Sequence, residues 1–275
     1  MKYNYHTHTK LCNHAVGMSE DYIKEAIKLG YKGIGMSDHG PILPEFMTPE
    51  EFKFTWLDRQ MNYEDFIERY LPDCRKTQEQ YKHLIDIYIG IEVEYIEEFH
   101  DYFVKMREKL DYMNLAGHYY YHNGKLVNGY ETATYENVIG CGLHLKKAME
   151  TKLYNILVHP DLFMYQYKSF DGSNTFDSEC EKAARMIIES AIENNVYLEI
   201  NVGGIDKALQ MGEVGKCCYP RDEFWEIVKE YPEAKVVIGI DAHDPKELSS
   251  EKIKIAYEFA KKHNIILQEK VETIG

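Results

Sequence analysis

Short apolar runs alternate with longer amphipathic stretches along the whole chain. The runs are KYNYH (2–6), KGIGMSD (32–38), DIYIGIEVEY (86–95), DYMNLAGH (111–118), YNILVH (154–159), VYLEIN (196–201) and AKVVIGID (234–241). Between them, helical spacing of apolar residues predicts helices near 19–29, 63–85, 96–110, 134–151, 177–194, 221–231 and 249–263. In the first of these, Tyr22, Ile23, Ala26, Ile27 and Leu29 recur on one face behind Ser19, the expected N-cap. NIILQ (264–268) is a candidate for a last strand. Alternating βα units with nearly continuous apolar strands predict a parallel sheet covered by helices, either a closed barrel or an open doubly wound sheet. The stretches 39–62, 119–133, 160–176 and 202–220 each follow a strand and are expected to be extended loops. No Pro-rich or Gly/Ser-rich linker interrupts the alternation, so residues 1–275 are expected to form one domain, a length suited to one α/β barrel.

The polar residues inside this pattern are not spread evenly. Nearly every strand ends in a potential metal ligand: His6 and His8, Asp38 and His39, Glu92 and Glu94, His118, His159, then Asp241 and His243. His14 follows the first strand closely, so seven of the twelve histidines lie at strand ends or just beyond. His83, His100, His144 and His263 fall in or beside helices and His122 in a loop, where solvated or capping roles are expected. A parallel sheet brings its strand C-termini to one end, so the seven imidazoles and their acids would converge there. Crowded imidazoles suppress one another's protonation, and buried carboxylates resist ionising. Divalent cations resolve both conflicts, and nine ligands exceed what one ion needs. The pattern predicts a multinuclear metal site.

Charge and cysteine usage narrow the classes. A formal net charge of −14 argues against a nucleic-acid-binding surface. No apolar leader core or membrane-length apolar run is visible. The six cysteines form no CxxC pair, and a reducing, cytoplasmic setting is expected. Cys12 lies near the histidines but is expected to serve packing.

Taken together, HTHT, His14, SDHG, GIEVEY, His118, VHPD and GIDAHDP resemble the polymerase-and-histidinol-phosphatase (PHP) domain. LEIN, YP and the helical insert before GIEVEY resemble its histidinol-phosphate phosphatase branch. The resemblance implies a distorted (β/α)7 TIM-like barrel carrying three divalent ions (Zn2+, Mn2+ or Fe2+). It implies that His6, His8, Glu92 and Asp241 hold the first, and that Glu92 bridges to a second held by His118 and His159. His14, His39 and His243 would hold the third. The implied activity is hydrolysis of L-histidinol phosphate in histidine biosynthesis, by a hydroxide bridging two cations. Glu92, Asp241, His243 and His39 are the expected catalytic residues. Tyr119 and Asp161 are candidate contacts to histidinol, and Asn201 and Arg221 to the phosphate. Other phosphomonoesters (a nucleotide, a phosphotyrosyl group), a nucleic-acid phosphodiester, an amide substrate, or a non-catalytic metal-binding module are the alternatives. The expected partner is the small phosphorylated substrate, with no nucleic acid and no membrane, and the sequence leaves the oligomeric state open.

Overall fold

The computed structural model describes residues 1–55 and 60–272. Part of the predicted loop 39–62 therefore lies outside the described residues. The strands are β1 (Tyr3–Asn4), β2 (Gly33–Met36), β3 (Asp86–Ile89), β4 (Glu92–Val93), β5 (Asn114–Leu115), β6 (Tyr119–His122), β7 (Lys125–Asn128), β8 (Ile156–Leu157), β9 (Tyr197–Asn201) and β10 (Val236–Gly239). The helices are α1 (Ser19–Lys28), α2 (Pro49–Phe54), α3 (Tyr63–Asp65), α4 (Leu71–Tyr81), α5 (His100–Arg107), α6 (Val138–Glu150), α7 (Ser178–Asn194), α8 (Val202–Met211), α9 (Asp222–Val228) and α10 (Lys252–Lys262). A π-helical turn, Phe66–Tyr70, joins α3 to α4.

Apart from the hairpin β6–β7, all pairing is parallel. One sheet has the order β1-β2-β3 and the other β10-β9-β8-β5-β4. Two isolated parallel bridges, Thr7 with Ala242 and His39 with Glu92, join one sheet to the other at both sides. At the first, His8 N donates to Ala242 O (2.8 Å) and Ala242 N to His6 O (3.2 Å). At the second, Glu92 N donates to Asp38 O (3.0 Å) and Gly40 N to Glu92 O (2.7 Å). The chain is an α/β fold of parallel strands under helices, as the alternation predicts.

Alternation within the strands divides the molecule. In β9, Leu198 and Ile200 join the main apolar core, while Tyr197, Glu199 and Asn201 turn the other way. In β10, Val236 and Ile238 follow the first set, and Val237 packs with Tyr5, Tyr112, Val158 and Tyr197 in a second, smaller cluster. That second face is apolar near the strand N-termini and polar near their C-termini.

The structure departs from these expectations at several points. Stretch 202–220 was expected to be loop, yet α8 opens it, because Asn201 Oδ1 caps Gly204 N (2.6 Å) and Val202, Ile205 and Ala208 are buried. Stretch 119–133 contains the β6–β7 hairpin, turned at Asn123 and Gly124, both at positive φ. NIILQ contributes only one bridge, Leu267 to Val236, and forms no strand. Ser19 does not cap α1: its hydroxyl reaches Asp73 Oδ2 (2.6 Å) and Thr77 (2.8 Å) on α4, and the Asp21 carboxylate caps Met18 N instead (2.8 Å).

Candidate metal centre

The strand C-termini carry the polar cluster. All seven histidines form one contiguous group: ring centroids lie 5.1 Å apart for His6–His8, 4.4 Å for His8–His39 and 4.2 Å for His8–His243. His14–His243 and His118–His159 are each 4.8 Å apart, and His6–His159 are 5.7 Å apart. Glu92, only 2% exposed, sits in their midst. Its Oε1 lies 2.8 Å from His159 Nε2 and 3.5 Å from His118 Nε2. Its Oε2 lies 3.3 Å from His6 Nε2, 3.4 Å from His8 Nε2 and 3.3 Å from His39 Nδ1. Asp241 Oδ1 approaches His8 Nε2 (3.1 Å), His6 Nε2 (3.4 Å) and His243 Nδ1 (3.6 Å). The structure thus brings together all nine residues expected as ligands.

Backbone geometry supports the convergence. His159 (φ 34°) and Asp241 (φ 58°) occupy the left-handed region, which costs a non-glycine residue of order 1 kcal/mol or more. Such conformations persist where packing over-determines them. In each case the turn immediately follows a strand and keeps the side chain in the cluster.

A second layer of groups orients the rings. His6 Nδ1 meets Glu199 Oε2 at 2.9 Å, and His118 Nδ1 meets Glu94 Oε1 at 2.7 Å. His14 Nδ1 donates to Cys12 O (2.8 Å) and His243 Nδ1 to Asp241 O (3.0 Å). With Nδ1 protonated and donating, each Nε2 presents a lone pair. For His6 and His118 that lone pair faces Glu92 oxygens, an arrangement that requires a shared positive charge. Glu199 was not singled out from the sequence, although it shares the β9 face with the chosen Asn201. Gly239 makes room for it, since a Cβ there would overlap the Glu199 carboxylate.

The titration pattern shows the same conflict. Burial opposes the charge on His6, yet Glu199, Asp241 and Glu92 hold its pKa well above the usual imidazole range. Burial and the neighbouring His8 drive His39 well below that range, and bring His243 down to about 4. Burial resists ionisation of Glu92, but His6, His39 and His118 hold its carboxyl far below the usual value. Protons alone therefore charge some rings at the expense of their neighbours.

The residues fit divalent cations. Neither nitrogen of the fully buried His8 makes a hydrogen bond, nor does His159 Nδ1. Donor atoms of His6, His8 and Glu92 lie within 4.8 Å of one another, as do those of His6, His159 and Asp241, and of His8, His39 and His243. Mixed imidazole and carboxylate donors suit Zn2+, Mn2+ or Fe2+.

The expected substrate contacts fare differently. Asn201 belongs to the centre: its Nδ2 donates to Glu199 Oε1 (2.6 Å) and lies 3.4 Å from Asp241 Oδ2. Arg221 does not reach the centre with its guanidinium, which holds Asn174 Oδ1 (2.7 Å), Asn174 O (2.8 Å) and Glu223 (3.0 Å). Asp161, 1% exposed, accepts from Arg221 N (2.6 Å) and Trp225 Nε1 (3.2 Å), and burial pushes its carboxyl up to about 7 against those hydrogen bonds. Both residues fasten loop to loop. Tyr119 is half-buried and donates its hydroxyl to Thr55 O, with its ring 6.2 Å from His118. Tyr130, unforeseen, stacks on His118 at 5.4 Å.

Comparison with known proteins adds the lineage. The chain is 31% identical to the histidinol-phosphatase of Bacillus subtilis over 97 residues, about a third of each protein (35% of this chain, 34% of the other). It is 25% identical over 262 residues to a probable histidinol-phosphatase of Schizosaccharomyces pombe, covering 88% of this chain and 81% of that one. Its fold is similar to histidinol phosphate phosphatase from Lactococcus lactis, crystallised with Zn, L-histidinol and phosphate (TM-score 0.68, 17% identity, 99% and 97% of the two chains). The PHP domain model matches residues 4–203, and the chain belongs to that family.

Proposed function

We propose that this protein is a divalent-metal-dependent phosphomonoesterase that hydrolyses L-histidinol phosphate to L-histidinol and phosphate in histidine biosynthesis. One observation carries the reading: a single buried carboxylate, Glu92, lies within 3.5 Å of five imidazoles, two on one oxygen and three on the other. The names of the relatives, and the L-histidinol and phosphate in the Lactococcus neighbour, support the substrate. We read the two sheets as one distorted (β/α)7 barrel, a single domain over residues 1–275. The Thr7–Ala242 and His39–Glu92 bridges support that closure.

We assign His6, His8, Glu92 and Asp241 to one ion, Glu92, His118 and His159 to a second, and His14, His39 and His243 to a third. Bound divalent cations supply charge against the phosphoryl oxygens and lower the pKa of water. The chain's residues do the rest. Glu92 holds two groups of imidazoles at fixed spacing through its two oxygens. Glu199 and Glu94 hold His6 and His118 in the tautomer that presents Nε2. Asn201 steadies Glu199 and Asp241 together. His39, Asp241 and His243 form the side we assign to the leaving group, and Asp241 and His243 border an open cavity. The net charge of −14 favours a small substrate over nucleic acid.

The loop-to-loop bonding of Arg221 and Asp161 favours a second reading, a phosphomonoesterase of broader or different substrate choice. Phosphate release from L-histidinol phosphate, p-nitrophenyl phosphate, nucleotides and a phosphotyrosyl peptide separates the two. A kcat/KM above about 10⁴ M⁻¹s⁻¹ for histidinol phosphate alone is the expected outcome. Weak, even rates across the panel refute the assignment of substrate.

A further inference from the structure

The residues assigned to the first ion lie astride a seam of the fold. His6 and His8 follow β1, whereas Asp241 follows β10, and these two strands belong to different sheets. At the other junction of the sheets the backbone ladder runs on unbroken. There Gly90 N donates to Met36 O (2.7 Å), Glu92 N to Asp38 O (3.0 Å) and Gly40 N to Glu92 O (2.7 Å). Between β1 and β10, among the described residues, the backbone contributes only the two bonds at the Thr7–Ala242 bridge. Just below that bridge, Ile240 N meets a side chain instead, donating to Asn4 Oδ1 at 2.9 Å. The same amide turns back on its own strand: Asn4 Nδ2 donates to His6 O (3.0 Å) and Thr7 Oγ1 (2.7 Å). Asn4 is fully buried, so these bonds form away from competing water. Lower still, the segment after α10 edges β10, with Gln268 N donating to Val236 O (2.7 Å). The Asn4 side chain stands where a backbone ladder would otherwise run.

Each bond of Asn4 ends beside a candidate ligand. His6 is itself one, Thr7 separates His6 from His8, and Ile240 precedes Asp241. Asp241 needs such an anchor, because at φ 58° its backbone persists only where neighbours over-determine it. Its Oδ1 lies 3.4 Å from His6 Nε2 and 3.1 Å from His8 Nε2, across the seam. An ion shared by these side chains requires donor atoms held at fixed spacing from both sides. Glu199 and Glu94 orient rings, but neither ties β1 to β10 through the backbone.

We propose that Asn4 is a positioning residue of the metal centre: its amide stitches β1 to β10 and sets the spacing of His6 and His8 from Asp241 that a divalent cation needs. It acts through the backbone beside the ligands and not by contact with an ion. This deepens the metal-dependent reading above and rests on it for the assignment of the first ion.

The test is Zn2+ affinity, measured by competition with a fluorescent chelator, for wild type, Asn4→Ala, Asn4→Ser, Asn4→Asp and His263→Ala. The Tm of each metal-free chain is recorded alongside. Asn4→Ala should weaken the tightest Zn2+ binding about 10- to 100-fold, as removal of support behind metal ligands does. Asn4→Ser, too short to span the seam, should match it and keeps the test open if the alanine variant fails to fold. Asn4→Asp should recover most of the loss, since a carboxylate still accepts from Ile240 N and the Thr7 hydroxyl can turn to donate to it. His263→Ala, destabilised away from the centre, should keep wild-type affinity. Zn2+ affinity within twofold of wild type in the alanine or serine variant overturns the proposal. So does an equal loss in His263→Ala at an equal drop in Tm, because stability alone would then account for it. No turnover enters these readouts. If the chain hydrolyses no phosphomonoester, the affinities still decide the role of Asn4, and only the enzymatic reading fails.

Discussion

Two of the buried polar clusters in this molecule differ in kind in their bonding. Beneath α9 and α10, His263 (1% exposed) places Nε2 2.9 Å from Asp222 and Nδ1 2.8 Å from Glu226. Lys262 (2.7 Å) and Lys216 (2.8 Å) complete the shell of Asp222. Every charge there has an opposite charge from the protein itself. At the strand C-termini the tally fails: His8 and His159 leave ring nitrogens without a hydrogen bond, and lone pairs face carboxylates. Burial with complete pairing builds structure, whereas burial with an unbalanced donor set needs a ligand from outside. Burial alone does not separate the two clusters.

The comparison breaks first at Glu92. Glu92→Ala should remove bound metal and lower kcat at least about 10³-fold, a loss of several kcal/mol of charge stabilisation. A fully metallated, active variant contradicts the central role of Glu92. Removing divalent ions with a chelator should lower the Tm of wild type by roughly 5–10 °C, with recovery on adding Zn2+ or Mn2+. An unchanged Tm in a scanning calorimeter means that the centre is self-sufficient, like the His263 cluster. Glu199→Gln should weaken metal binding about 10- to 100-fold, because His6 loses the carboxylate charge behind the hydrogen bond that fixes its tautomer and raises the basicity of its ring. Competition with a fluorescent chelator measures that affinity. His263→Ala should do the reverse, leaving metal content intact while costing about 2 kcal/mol of stability in urea titrations. That figure is reduced from a fully buried pair because Glu226 and the lysines are half exposed.

The sequence exposes the strand-end cluster better than the His263 cluster, for a physical reason. Strand C-termini of a parallel sheet share one end, so polar residues there converge whatever the loops do. His6, His8, His39, His118, His159 and His243 were legible on that ground. Glu199 was missed although β9 repeats every second residue, placing Tyr197, Glu199 and Asn201 on one face. Asn201, the last of these, is among the candidate residues, and Glu199 is not, although it shares the face. The signal was present. α8 was hidden by its paired glycines, which depress helix propensity until Asn201 caps the turn and three apolar side chains are buried. No comparable regularity exists for Arg221, Asp161 or His263. Their partners, Asn174, Trp225 and Asp222, lie 40 or more residues away, and only the packing of helices and loops brings them together.

The smallest expected effect tests the self-sufficient cluster by acid. Burial opposes ionisation of Asp222, but hydrogen bonds from Lys216, Lys262 and His263 bring its carboxyl down to about 2. A carboxyl held lower in the folded chain than in the unfolded one stabilises the fold above its ordinary pKa, because the unfolded chain then binds the proton more readily. Its contribution is therefore complete above about pH 4 and disappears as pH falls from about 4 to about 2. Solvent reaches part of the cluster, which reduces the contribution to about 1 kcal/mol. Asp222→Asn cannot titrate, so its unfolding free energy should fall less steeply than that of wild type across this window. Urea titrations of both chains after metal removal isolate the difference from acid loss of metal at the other cluster. Parallel pH profiles for the two chains would mean that Asp222 keeps an ordinary pKa, and that the lysines beside it are solvated rather than paired.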